Sequence, residues 1–113
     1  MKTFKNSIAQ GEIYVTRVDS LPKGLNEVDR ENNKVIVAHS ETGHHHSILQ
    51  NDVSLWSDPN NPLLSFLEVG ENGAELIHER DFDTHIPVFF EPGVYKIHRQ
   101  REYTPDGWRQ VVD

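Results

Sequence analysis

The chain contains no cysteine, so disulfides, thiolate-held zinc and cysteine nucleophiles are excluded, and any metal must be held by nitrogen and oxygen. Long apolar runs are missing as well. No stretch approaches the roughly 20 apolar residues of a membrane-spanning helix, and Met1-Lys2-Thr3-Phe4-Lys5-Asn6 leads into no apolar region of the secretory kind. These absences set the expectation of a cytoplasmic protein with no membrane association. Positive charge is scarce: 11 Lys and Arg stand against 18 Asp and Glu, for a formal net charge of -7 and a pI near 5.4. A general nucleic-acid binder needs a basic face to track phosphates, so that class is disfavoured. His98-Arg99-Gln100-Arg101 is a local exception, large enough to place one or two phosphates or carboxylates but too short for a groove. A Gly-rich phosphate loop, a serine nucleophile elbow and an HExxH helix are also missing, which removes several common enzyme classes.

What is present points to a folded β protein. Hydrophobic residues make up 35% and charged residues 26% of 113, a composition that supports one modest core. No segment keeps a helical period over ten residues, although a single helical turn in Gly24 to Arg30 would fit. Instead, short apolar stretches recur between glycine- and proline-bearing turns. Glu12–Val18 alternates, with Ile13, Val15 and Arg17 on one face. Val35-Ile36-Val37-Ala38 is apolar on both faces and therefore reads as central to a sheet. Asn26 to Asn33 reads as a loop, and so does Asp58-Pro59-Asn60-Asn61-Pro62, followed by an apolar strand from Leu63 to Val69. Gly70-Glu71-Asn72-Gly73 marks a tight turn into Ala74–His78, and Val94 to Tyr103 is the longest strand candidate. Trp56 and Trp108 read as core anchors. The expected fold is a single domain over residues 1–113, an antiparallel β-sandwich or small barrel with sequential pairing as its simplest topology.

The histidines carry the chemistry. In Gly43-His44-His45-His46 a turn glycine opens an extended segment, and a period of two places His44 and His46 on one face with His45 on the other. Two imidazoles do not make a metal site. His78 and His85, flanking an acidic segment with Glu79, Asp81 and Asp83, are the candidates to complete it. Each histidine taken singly fits a solvated strand end equally well, so convergence is the discriminating observation. Arg99 and Arg101 interrupt the apolar stripe of the last long strand, either as surface ion pairs or as a means of holding an anion with Tyr103.

The order Gln10-Gly11-Glu12-Ile13, Thr42-Gly43-His44-His45-His46, Leu76-Ile77-His78, His85-Ile86-Pro87-Val88, Pro92-Gly93-Val94-Tyr95 and Gln100-Arg101-Glu102-Tyr103 resembles a family of small uncharacterised bacterial and phage proteins over about nine tenths of the chain. The resemblance implies that His44, His46, His78 and His85 are the family's histidines. Thr84 stands where the family tends to carry glutamate, with Asp83 and Glu79 as candidate replacements. A weaker likeness to cupins rests on the His-x-His element together with Pro92-Gly93 and His98, while Gln50 and Asn51 are amides where the cupin glutamate would stand.

The leading expectation is therefore a small metal-binding β protein in which His44, His46, His78 and His85 hold one divalent ion, zinc first. Four imidazoles would make the ion structural. Three plus water would give a Lewis acid with Asp83 or Glu79 as general base, so whether the protein is an enzyme stays open. Two rivals stand beside it. One is a non-enzymatic phage or prophage accessory protein that binds a protein partner through its acidic surface; the other is a small-molecule module holding an anion with Arg101 and Tyr103.

Overall fold

The structure is a computed structural model of the chain and describes residues 2–10, 12–38, 45–78, 87–99, 101–104 and 107–110, the last two as strand backbone. Among the described residues none is helical. The strands are β1 (Ser7–Gln10), β2 (Ile13–Val18), β3 (Asn26–Val28), β4 (Val35–Ala38), β5 (His46–Ile48), β6 (Val53–Asp58), β7 (Asn61–Val69), β8 (Ala74–His78), β9 (Val88–Phe90), β10 (Gly93–Arg99), β11 (Arg101–Thr104) and β12 (Gly107–Gln110). They form a six-stranded sheet in the order β1-β2-β10-β7-β6-β3, a four-stranded sheet in the order β4-β5-β8-β9, and a separate β11-β12 pair. All ladders are antiparallel, so the expected all-β antiparallel fold holds.

Alternation decides what lies between the two larger sheets. From the six-stranded sheet, Ile13 and Val15 of β2, Tyr95 and Ile97 of β10, Leu67 and Val69 of β7, and Val53 and Leu55 of β6 point inward and are buried. Ile48, Leu76, Ala74, Val88 and Phe90 meet them from the four-stranded sheet. Each large aliphatic or aromatic side chain removed from water here contributes about 1.5–3 kcal/mol. On β4 a register shift between Ile36 and Ala38 inserts an extra residue, and Val35, Val37 and Ala38 all join this core.

Several sequence expectations are corrected. Pairing is only partly sequential: β1–β2, β4–β5, β6–β7, β8–β9 and β11–β12 are neighbours, but β2 also lies beside β10, and β5 beside β8. The apolar Val35-Ile36-Val37-Ala38 strand is buried throughout, yet it ends its sheet. Among the described residues the longest strand is β7, with nine residues against seven for β10; of the strand expected from Val94 to Tyr103, β10 covers the part up to Arg99, and β11 belongs to another sheet. The expected loop at Asp58 to Pro62 is a tight hairpin, with Asp58 opposite Asn61 and the Asp58 carboxylate accepting from the Asn60 backbone N–H at 2.8 Å. Pro62 is tolerated because it lies on an exposed stretch beside the register shift at Ser57/Asp58. Trp56 is only half-buried and lies on the face of β6 opposite Val53 and Leu55, outside the core. Gly24 to Arg30 holds strand β3 and no helical turn.

Candidate functional site at the polar end of the sandwich

The inward stripe of each sheet changes character at one end. In the four-stranded sheet, Ile48 of β5 lies opposite Leu76 of β8, and two residues further along His46 lies opposite His78. Both imidazoles therefore continue the core-facing rows, and they are 0% and 1% exposed. Their rings stack with centroids 4.2 Å apart and planes 7° from parallel. In the six-stranded sheet the corresponding row is Gln10, Ile13 and Arg99, paired through β1, β2 and β10. Gln10 and Ile13 bracket the two-residue turn of the β1–β2 hairpin, which carries Glu12. Glu12 is 2% exposed, unusual for a turn carboxylate, and its Oε1 lies 4.0 Å from Arg99 Nη2.

Gln10 joins the sheets. Its Nε2 donates to the Leu76 carbonyl at 3.2 Å, and its Oε1 lies 2.8 Å from His46 Nδ1. With Nε2 turned to the Leu76 carbonyl, Oε1 faces His46 Nδ1, a contact that is a hydrogen bond when that nitrogen carries a proton. Gln10 enters the sequence analysis only within the Gln10-Gly11-Glu12-Ile13 motif and with no role assigned to it, because a glutamine at a strand end reads as surface. The available signal was its position beside Gly11-Glu12, a turn next to the alternating Ile13-Tyr14-Val15 stretch.

Of the predicted metal residues, His46 and His78 are brought together. His44, His85, Glu79 and Asp83 lie outside the described residues. Among the described residues no three or more His, Asp and Glu side chains form a group able to hold a metal ion. Imidazole lone pairs lie in the ring plane, so near-parallel rings share one ion only after a ring turns, a rotation that the broad χ2 torsion of histidine allows. His45, one residue before β5, is half-buried. His98, the echo of the cupin pattern, alternates away from Ile97 and Arg99 onto the outer face of β10, opposite Tyr14 and Leu64, and so does not join the pair. Partial burial, with Lys96 adding to it, holds the His98 pKa below its ordinary value. Arg101 and Tyr103 lie on β11, Tyr103 opposite Trp108 in the β11–β12 ladder.

Fold and site together define an antiparallel β-sandwich closed at one end by a buried polar layer. The chain belongs to the family described as Domain of unknown function (DUF8820), whose model matches residues 9–100. That span begins one residue before Gln10 and ends before Arg101. No curated protein and no solved structure matches the chain. No helix among the described residues is long and apolar enough to cross a membrane.

Proposed function

We propose that the polar end of the sandwich binds a divalent cation, zinc first, through His46 and His78 with His44 and His85 completing the set. The observation that supports this reading is the state of His46: a core-facing imidazole, fully buried, whose Nδ1 is held by a side-chain carbonyl that is itself anchored. Burial alone would favour an aliphatic residue there, next to Ile48. A ligating histidine commonly donates its second ring nitrogen to such a partner. Covalent geometry supplies the reach: His44 is two residues from His46, so their Cα atoms lie within about 7 Å. Leu76 pairs with Val88, so β8 ends and β9 begins at this same end, with Glu79, Asp83 and His85 between them in sequence.

Four imidazoles would make the ion structural. Three with a water would give a Lewis acid, with Asp83 or Glu79 as the base. Binding turns one ring of the stacked pair so that both lone pairs meet. The rival anion site on Arg101 and Tyr103 has less support, since both residues lie beyond the matched family span.

The test is metal content and zinc titration calorimetry of protein purified without a histidine tag. Wild type should bind about one zinc, His46→Ala with His78→Ala should bind none, and His45→Ala should bind as wild type does. Wild-type protein that takes up no zinc, nickel, manganese or iron would sink the reading and leave the accessory-protein alternative.

A further inference from the structure

We infer that Gln10 is a positioning residue that locks His46 in the Nδ1–H tautomer and thereby makes Nε2 the nitrogen that binds a cation. The ligating part of this rests on the cation reading above; the tautomer lock does not. The argument starts from connectivity. Gln10 is the last residue of β1 in one sheet, 4% exposed, and its amide spans to two strands of the other, β8 through the Leu76 carbonyl and β5 through His46. A free amide can flip and serve either tautomer of a neutral imidazole. Here a flip would turn Oε1 toward the Leu76 carbonyl oxygen at 3.2 Å, two acceptors facing each other in a buried site, so the orientation is held.

The consequence is chemical. Neutral imidazole has one N–H and one lone pair, and assigning the proton to Nδ1 puts the lone pair on Nε2, at the ring's far side from Gln10. An unrestrained histidine side chain favours the Nε2–H form, so the lock reverses the intrinsic preference and leaves the lone pair on the nitrogen turned away from Gln10. The acceptor also makes the ligating nitrogen more basic, as outer partners of metal-bound histidines do.

The experiment combines long-range proton–nitrogen spectra of protein labelled with nitrogen-15 in histidine, recorded without metal where imidazoles are neutral, with zinc titration of the same samples. Wild-type His46 should show the Nδ1–H pattern. Gln10→Leu, of similar shape but with no acceptor, should move His46 toward Nε2–H and weaken zinc binding about 10–100-fold. Gln10→Glu keeps the acceptor and should retain both the Nδ1–H pattern and zinc affinity at or above wild type. Should the leucine variant fail to fold, the wild-type and glutamate spectra decide the matter. An Nε2–H pattern at His46 in wild type, or an unchanged pattern in Gln10→Leu, overturns the inference. The expected tautomers with no zinc uptake by wild type would overturn the cation reading while the lock stands.

Discussion

Gly73 and Gly24 both adopt positive φ, at 70° and 83°, but their surroundings differ enough to separate backbone strain from steric conflict. A Cβ on Gly24 would meet nothing within 4 Å, whereas one on Gly73 would lie 2.6 Å from Phe89 Cζ and 2.8 Å from the Phe90 carbonyl oxygen. Gly24→Ala should therefore cost only the left-handed backbone penalty, about 1 kcal/mol. Gly73→Ala adds displacement of the β9 backbone and should cost more than about 2 kcal/mol. Urea midpoints measure both, and equal costs would show that the turn relaxes freely. The Gly73 N–H bonds the Gly70 carbonyl at 3.0 Å, which closes the turn that the Gly-Glu-Asn-Gly pattern announces. Asn32 and Asn33 play the same part between Glu31 and Lys34, at φ 52° and 62°, since asparagine accepts this region best after glycine.

At the scale of elements, one tyrosine ties β10 to the turn that precedes it. The Tyr95 hydroxyl donates to the Glu91 carbonyl at 2.6 Å; the Arg17 guanidinium lies 5.6 Å from the ring centroid and donates to the Pro92 carbonyl at 2.8 Å. Burial raises the Tyr95 pKa above its ordinary 10.0, Arg17 opposes the rise and Glu91 adds to it. The folded chain therefore holds this proton more tightly than the unfolded one. The resulting stability is whole below pH 10.0 and is lost as pH climbs through the higher folded value. Tyr95→Phe should cost about 1 kcal/mol at neutral pH and should lose less stability than wild type between neutral pH and the alkaline limb; parallel urea-midpoint curves for the two proteins would refute this. Strands such as β2, β8 and β10 were legible in sequence because one face is continuously apolar, as in Ile13 and Val15 or Leu76 and Ala74. β1 and β3 were not, since Ser7, Ala9, Asn26 and Glu27 are exposed on sheet-end strands and the inward side of β1 is Ile8 and Gln10, not an apolar stripe. Residue type and strand ends singled out His46 and His78 in the sequence, but their pairing, the sheet order and the Gln10 contact depend on partners distant in sequence, which no local pattern encodes.

Over the whole molecule, the sandwich has two unlike ends. At one, Phe4, Phe90 and Tyr95 pack edge-to-face and tilted, with centroids 4.8–5.6 Å apart. At the other, Gln10, Glu12, His46 and His78 are all buried polar groups, whose removal from water opposes folding unless their bonds replace those to solvent. The aromatic end therefore supplies stability, and the polar end depends on its hydrogen bonds to offset desolvation. A cation bound there should act through linkage, because an ion held only by the folded chain stabilises it in proportion to its occupancy. Free zinc at about 100 times its Kd should add about 2.7 kcal/mol, seen as a rise in Tm that a chelator reverses. His46→Ala should abolish the rise at every zinc concentration, whereas Leu49→Ala, on a side chain 52% exposed, should leave it intact. A zinc-dependent rise that survives His46→Ala would place the ion elsewhere on the acidic surface and detach the histidine pair from metal binding.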